Sequence, residues 1–306
     1  MSARVVVVGS SNIDLVMKMA RLPRVGETVT DATFVQAFGG KGANQAVGAA
    51  RAGGEVAFVG CVGDDAYGQQ VRGSLEADGI DTRFVFTEPG VASGTALILV
   101  GGGGENYISV APGANDRLTP AHVDRAREAI EGAAIVVTQC EIPPETIEHV
   151  VALGAELGKP VLLNLAPARR LSDAALSRLT LLAVNETEAE SLTGRRVASD
   201  REVQEAAGAL LAKGPRTVVL TLGARGAYVG AEGVRSLVPG FAVEAVDTTA
   251  AGDVHGGALA VALVEGRPVL EAVRFANAAA ALSVTRLGAQ PSAPRRSDIE
   301  TLLSRG

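Results

Sequence analysis

Six short apolar runs recur along the chain: VVVV at 5–8, VAFVG at 56–60, AIVVTQ at 134–139, PVLLNL at 160–165, TLLAVN at 180–185 and TVVLTLG at 217–223. None alternates apolar with polar residues, which is the pattern of strands covered on both faces in a parallel sheet. Segments with helical periodicity separate them, at about 43–52, 67–78, 120–131, 144–157, 171–178, 186–193 and 199–213. Strands alternating with helices predict an α/β fold, a doubly wound and mostly parallel central sheet flanked by helices. Late in the chain GAYVG (226–230) and VRSLV (234–238), joined by Ala231-Glu232-Gly233, predict an antiparallel hairpin. Helices at about 252–265, 268–285 and 297–304 complete the pattern.

Two segments, 15–38 and 91–110, break this rhythm. In the second, TALILV and NYISV flank Gly101–Gly104, which reads as a hairpin whose glycines supply positive φ in the turn. A phosphate loop would need a helix directly after the glycines, and none is predicted. Together the two segments predict a small accessory β-sheet, a lid, on a single domain spanning 1–306.

Composition narrows the function classes. The 306 residues are 47% hydrophobic and 20% charged, enough to bury a sizeable core. A net charge of −6 argues against nucleic acid as a partner, while leaving room for a small anionic ligand. Cys61 and Cys140 stand in no metal-like spacing, and His122, His149 and His255 are far apart, so a reduced, cytoplasmic protein without a histidine-rich metal centre is expected. The N-terminal MSARVVVVGSSNID is too short in apolar residues for a secretory signal, and no stretch approaches the about 18 residues of a membrane span.

Several familiar catalytic signatures are missing: there is no GxxxxGK[ST], no HRD/DFG pair, no strand-turn-helix GxGxxG and no GxSxG. Chemistry concentrates elsewhere. Ser11-Asn12-Ile13-Asp14 follows the first strand, where open α/β sheets bind ligands; Asp14 is placed to accept from two hydroxyls of a polyol or to cap a turn. GGKGANQA (39–46) combines Gly40 and Gly42, which let the backbone approach a ligand, with the donors Lys41 and Asn44, or is a tight strand-to-helix connection. Asn185-Glu186-Thr187-Glu188 opens a helix; its glutamates suit the helix dipole and equally suit ordering water around Mg²⁺. In VDTTAAGDVHGG (246–257), Ala250, Ala251 and Gly252 expose successive amides at a helix start. That geometry fits a transferring phosphoryl group, with Asp253 as the base beside it; the alternative is Asp253 as a helix cap. His255, about 200° round the helix from Asp253, reads as a packing residue.

The whole set resembles the ribokinase/PfkB family of sugar kinases. The likeness runs through GSSNID (9–14), VGETV (25–29), AFGGKGANQA (37–46), GDDAYG (63–68), NLAPAR (164–169), NETEAE (185–190), TLGARGAYV (221–229), VDTTAAGD (246–253) and GAQPS (288–292), and sits closer to the ribokinase branch than to the fructokinase or nucleoside-kinase branches. The resemblance implies phosphorylation of D-ribose at its 5-hydroxyl by ATP with Mg²⁺, and a lid that also forms a homodimer interface. It implies Asn12, Asp14, Gly40, Lys41, Gly42, Asn44 and Glu141 around the sugar, Asp253 as base, and the Ala250–Gly252 amides as anion hole. It implies Asn185 and the loop holding Thr221, Gly223 and Gly226 at the nucleotide phosphates, Gly252 beside them, Asn277 near adenine and Glu188 at the magnesium shell. A K⁺ site is implied at Asp247, Thr249, Ser283, Arg286, Gly288 and Ser292. His255 stands where the family commonly has an aromatic, and Asn277 where histidine is frequent. Two other readings stay open: a kinase for 2-deoxyribose or a nucleoside, and a catalytically silent sugar-binding regulator.

Overall fold

The computed structural model describes residues 4–305. The ends of the expected 1–306 domain, and the first three residues of the segment judged too short for a signal, lie outside them. In chain order the strands and helices are β1 (Arg4–Val8), β2 (Asn12–Lys18), β3 (Thr33–Gly39), α1 (Lys41–Arg51), β4 (Glu55–Gly63), α2 (Ala66–Ala77), β5 (Asp81–Glu88), β6 (Gly94–Val100), β7 (Asn106–Ala111), α3 (Pro120–Arg125) and α4 (Arg127–Glu131). There follow β8 (Ile135–Thr138), α5 (Pro144–Glu156), β9 (Val161–Asn164), α6 (Asp173–Leu176), β10 (Leu181–Asn185), α7 (Glu186–Thr193), α8 (Asp200–Leu211), β11 (Thr217–Thr221), β12 (Gly226–Ala231), β13 (Val234–Pro239), α9 (Ala251–Val264), α10 (Val269–Ser283) and α11 (Arg296–Arg305).

The main sheet runs β13-β12-β11-β10-β9-β8-β1-β4-β5. It is parallel from β11 to β5, with β12 and β13 added antiparallel at one edge. The six apolar runs are its six central strands. Alternate residues of each feed two separate cores: Val5, Val7, Ile135 and Val137 face α1, α9 and α10, whereas Val6, Val8 and Val136 face the helices on the other side. After β1 the chain winds outward to β4 and β5, then returns to the far side of β1 to build β8 through β11. The β1/β8 boundary is therefore the topological switch, and the crevice beyond the carboxyl ends of those strands is where such sheets bind ligands.

Four strands form a second sheet, β3-β2-β6-β7, with β2 and β6 parallel and the outer pairs antiparallel. Exposed apolar side chains stand on both of its faces: Phe34, Leu97 and Tyr107 on one, and Val35, Ile108 and Val110 on the other, the face that also carries Asp14. Among the described residues no helix is long and apolar enough to cross a membrane.

One strand was not foreseen, and two predicted helices and one predicted turn need correction. The segment 81–88 is a strand, β5; only Phe84-Val85-Phe86 of its DTRFVFTE sequence are apolar, and the polar and charged residues at both ends suit an edge strand rather than a doubly covered one. The helix expected at 120–131 is two short helices, and the one at 171–178 shrinks to Asp173–Leu176. In the Gly101–Gly104 turn only Gly104 has positive φ, 87°.

Candidate active site

Two helix starts and two strand ends converge at the switch. Asn12 and Asp14 lie on β2 directly beyond β1. Gly40, the cap residue of α1, has φ 85°, and a Cβ there would sit 2.7 Å from Asn12 N, so the chain can turn into the helix beside Asn12 only with glycine. Gly42 is packed as tightly on the backbone of Ser10. Lys41 is the first residue of α1, so the helix begins three residues before Asn44. Glu141, just past β8, binds this loop down: its Oε2 accepts from Ser10 Oγ at 2.7 Å and from Lys41 N at 2.9 Å.

Asp253 enters from the opposite wall. Its helix, α9, is buried on all sides and crosses α1 where both carry small residues: a Cβ on Gly257 would lie 2.4 Å from Gln45 O, and one on Gly48 3.2 Å from Val254 Cα. This close crossing lets α1 side chains reach the start of α9. Asn44 Nδ2 donates to Asp253 Oδ2 at 3.0 Å, and Gln45 Nε2 to Oδ1 at 3.2 Å. Asp253 makes no capping bond to the α9 backbone, so of the two roles its sequence allowed, the structural cap is not the one it fills. The cap position falls at Ala250, which makes no side-chain capping bond and whose φ of 60° is the left-handed region and the one such value outside glycine among the described residues. Strain of this kind persists where surrounding structure fixes it and concentrates at functional sites. The amides of Gly252 and Asp253 have no carbonyl acceptor among the described residues.

Electrostatics follow from burial. Burial raises the Asp253 carboxyl above its ordinary value, against the opposing influence of Lys41 and the Asn44 bond. Asp14, largely buried and facing the charge of Glu141, is pushed up to about 6. Burial would lower the Lys41 ammonium, but Asp253, Glu141 and Glu188 outweigh it and keep the group protonated. Asn44 Oδ1 is buried with no partner, an acceptor left open beside Asp253.

Asn185 and Glu188 form a capping box on α7: Asn185 Oδ1 accepts from Glu188 N and Glu188 Oε2 from Asn185 N, both at 2.8 Å. The ordinary helix-start role is thus filled, and Glu188 still has a second carboxylate oxygen. Burial raises its carboxyl, with Lys41 opposing. Both residues line a cavity of about 210 Å³ with Lys41, Asp253 and the Ala250–Gly252 turn. A neighbouring cavity of about 530 Å³ is lined by Thr221, Gly223, Gly226, Phe241, Asn277 and others. Thr221, Thr248, Ala251, Gly252 and His255 border both, so the two spaces meet at the start of α9.

Asn277 bounds the larger cavity with its amide already committed: Nδ2 donates to Val238 O and Pro239 O, and Oδ1 faces His255 Nε2 at 3.2 Å. Reading a base with that amide means breaking one of these bonds. His255 is buried and neutral, lowered to about 4 by burial. Around Asp247, Oδ1 accepts from Thr249 N and Oγ1, and Oδ2 from Gly288 N at 2.8 Å. Ser283 O accepts from Arg286 N, and Ser292 Oγ donates to Ala289 O. Direct bonds thus join Asp247, Thr249 and Gly288, and separately Ser283 and Arg286; Ser292 bonds to none of the five.

Sequence reading missed Ser10, Gln45, Asn115 and Asn164. Asn115 clamps Ser11 through both of its amide ends and donates to Asn12 Oδ1 at 2.8 Å. Gln45 links Asp253 to Asn164 and Gln139. Gln45 lies inside the AFGGKGANQA motif and Asn164 opens NLAPAR, so position in a motif was the available signal; Asn115 offered none.

A model of the pfkB family of carbohydrate kinases matches residues 2–296. The ribokinase of Haemophilus influenzae is 42% identical over 292 residues, covering 95% of each chain. That of Bacillus subtilis is 43% identical, covering 97% of this chain and 98% of its own. Arabidopsis thaliana ribokinase, solved with ribose and ATP, superposes with a TM-score of 0.92 at 34% identity, over 99% of both chains.

Proposed function

The chain belongs to the pfkB family of carbohydrate kinases, and from that premise we propose that it transfers the γ-phosphoryl group of ATP to the 5-hydroxyl of D-ribose, with Asp253 as general base. The observation carrying the mechanism is the position of Asp253: a buried carboxylate of raised basicity, held by Asn44 and Gln45 at the helix start where the two cavities meet.

Sugar binds between β2 and α1, with Asn12, Asp14, Lys41, the open Oδ1 of Asn44 and Glu141 supplying the partners of its hydroxyls. ATP lies along the larger cavity, its phosphates toward Asn185, Thr221, Gly223 and Gly226 and its base toward Asn277. Asp253 takes the proton of the 5-hydroxyl as that oxygen attacks the γ-phosphorus. The free amides at the start of α9 and the positive end of its dipole receive the charge that gathers on the transferring oxygens. Closure of the four-stranded sheet over the sugar keeps water from competing for the phosphoryl group.

The donor set fits two cations. Glu188, with one oxygen in the capping box and one left, suits a magnesium ion held through water. When bound, Mg²⁺ neutralises charge on the β- and γ-phosphates. At Asp247 burial raises the carboxyl, yet the bonds from Thr249 and Gly288 more than offset it and leave the group below its usual range, ionised. An ionised carboxylate among backbone carbonyls suits K⁺, with Thr249, Ser283, Arg286, Gly288 and Ser292 completing the cage. Bound there, K⁺ adds positive potential next to the anion hole. The exposed Phe34, Leu97 and Tyr107 on the face of the four-stranded sheet opposite Asp14 suit a homodimer interface, and two buried free cysteines suit the cytoplasm.

A coupled ADP-release assay over pentoses and nucleosides, with and without K⁺, tests the reading. ADP release that depends on ribose and rises with K⁺ is expected. A preference for 2-deoxyribose or a nucleoside assigns another acceptor, and ribose binding without ADP release makes the chain a silent regulator. A rate indifferent to K⁺ removes the cage.

A further inference from the structure

Away from this site, the structure assembles three metal-ligating side chains that are far apart in sequence. Cys61 Sγ, a Glu88 carboxylate oxygen and a His122 ring nitrogen lie within 4.8 Å of one another, the one such group of His, Cys, Asp and Glu among the described residues. They come from β4, from the end of β5 and from the first turn of α3. His122 Nε2 is 3.1 Å from Glu88 Oε1. Cys61 is 1% exposed, whereas the His122 and Glu88 side chains keep 15% and 24% of their surface, so an ion can enter from their side.

We propose that Cys61, Glu88 and His122 bind one divalent transition-metal ion of borderline softness, Zn²⁺ in the first instance, leaving a fourth position for water. Sulfur, nitrogen and carboxylate oxygen are the donors zinc takes, at about 2.3, 2.1 and 2.0 Å, which in a tetrahedron places them about 3.3–3.7 Å apart. Closing from 4.8 Å requires about 1 Å of movement by side chains that are partly free. The second shell is present as well. His122 Nδ1 lies 3.0 Å from Thr119 Oγ1, an acceptor for the Nδ1–H tautomer that frees Nε2 for a metal. That tautomer gives up the present contact from Thr119 N to Nδ1.

Charge balances at the site. One thiolate and one carboxylate neutralise a dication, and the thiol proton leaves as the metal binds. Burial first, and then Glu88, push the metal-free thiol up to about 12, with Arg125 opposing. The proton that holds the resting cysteine neutral is therefore the one a metal displaces. Arg125 itself lies over the Phe86 ring, 4.3 Å from its centroid, and Phe86 in turn lies against His122.

The position has a mechanical meaning. Glu88 ends the strand from which the chain leaves for the β6–β7 hairpin, and His122 lies where it has just returned. An ion at this point fastens both roots of the hairpin to β4.

The test titrates Co²⁺ into the reduced, chelator-treated full chain in a large excess of Mg²⁺ and K⁺. The expected result is one equivalent bound, a thiolate-to-cobalt charge-transfer absorption with four-coordinate d–d bands, and displacement by stoichiometric Zn²⁺. Cys61→Ser abolishes the charge-transfer band, Glu88→Gln and His122→Gln each weaken binding by about tenfold or more, and Cys140→Ser leaves the band intact. Zn²⁺ raises the melting temperature of the wild type and not of Glu88→Gln. The proposal falls if the wild type shows no saturable band, if the band survives Cys61→Ser, or if it disappears in Cys140→Ser. Should Cys61→Ser fail to fold, the two partly exposed variants decide: unchanged Co²⁺ affinity in both overturns it.

Discussion

Replacing Asp253 by asparagine separates catalysis from architecture. Each Asp253 oxygen accepts one bond, from Asn44 Nδ2 and from Gln45 Nε2. Asparagine offers one acceptor oxygen, so whichever way it faces, one of those donors meets an NH₂ group. The lost bond to a charged acceptor costs about 1.5–3 kcal/mol. Against this, the variant no longer buries a carboxylate, a penalty of several kcal/mol that its partners only partly offset. Stability should therefore change by no more than about 2 kcal/mol in either direction, a melting shift of roughly 5 °C or less for a chain of this length. Turnover should respond very differently. A positioned general base contributes about 10²–10⁴-fold, equivalent to about 2.7–5.4 kcal/mol of barrier. The assays are kcat by coupled ADP release, ribose affinity by calorimetry and a thermal melt on the same preparation. Retained ribose binding, a near-native melt and a kcat lowered by at least a hundredfold are expected. A kcat within tenfold of wild type refutes the base, and a collapsed melt with proportionate loss of activity means the carboxylate serves the fold.

Three further perturbations probe the surroundings. Gly257→Ala inserts a methyl 2.4 Å from Gln45 O, forcing α1 from α9 and lengthening the Asn44 and Gln45 bonds to Asp253; kcat should fall more than tenfold while ribose KM changes little, and an unchanged kcat contradicts the packing argument. Asp14, pushed up to about 6, must be ionised to accept from sugar hydroxyls, so kcat/KM for ribose should fall as pH drops through about 6. Its linkage to folding has the opposite sign: the raised pKa contributes stability below the unfolded value of 3.8 that is lost as pH rises through about 6, so Asp14→Asn should be more stable than wild type at pH 7 by chemical denaturation while binding ribose poorly. His255, lowered to about 4, contributes stability present above its unfolded value of 6.5 and lost as pH falls toward 4. His255→Phe should flatten melting temperature between those values, at a cost at pH 7.5 of about 1 kcal/mol for the Asn277 oxygen left without its donor; a pH dependence identical to wild type assigns the acid sensitivity elsewhere.

How much of this was legible in the sequence depended on whether the signal was local. The central strands are uninterrupted β-branched and leucine runs, and burial on both faces leaves no other reading of such runs at that length. β5 escaped because an edge strand needs no long apolar run, and DTRFVFTE has only three apolar residues between polar and charged ends. Within the site, Lys41, Asn44 and Asp253 announced themselves through runs of glycine and alanine neighbours, of which Ala43 and Ala46 also belong to the core. Gln45 did not, since a neutral amide gains its role only by reaching Asp253, 208 residues away, across the small-residue helix crossing. Asn115 reaches Asn12 over a separation of 103 residues in the same manner. For Asp253 the sequence allowed cap or base, and only backbone geometry removes the first: the cap position falls at Ala250, and Asp253 bonds to α1 side chains instead. Cys61, Glu88 and His122 are joined by strand order alone, a relation that no spacing rule encodes.

The charge distribution of the site supports the proposed cations independently of family membership. Glu141, Glu188 and Asp253 act on one ammonium, that of Lys41, and Asp14 in turn faces the charge of Glu141. Burial, with a smaller push from Glu141, raises the basicity of Asp253, which suits proton removal, but the excess of carboxylates opposes entry of a polyphosphate. Two unequal sources of positive potential offset that repulsion. The start of α9 supplies a fixed share equivalent to about half an elementary charge, delivered where the two cavities join. The remainder has to arrive with the nucleotide or sit beside the anion hole. The two places where the fold keeps an ordered carboxylate with coordination capacity to spare, Glu188 and Asp247, flank that junction through their neighbours Asn185 and Thr248. An excess of carboxylate charge that one helix start offsets only in part is thus the electrostatic ground for proposing bound cations in the reaction.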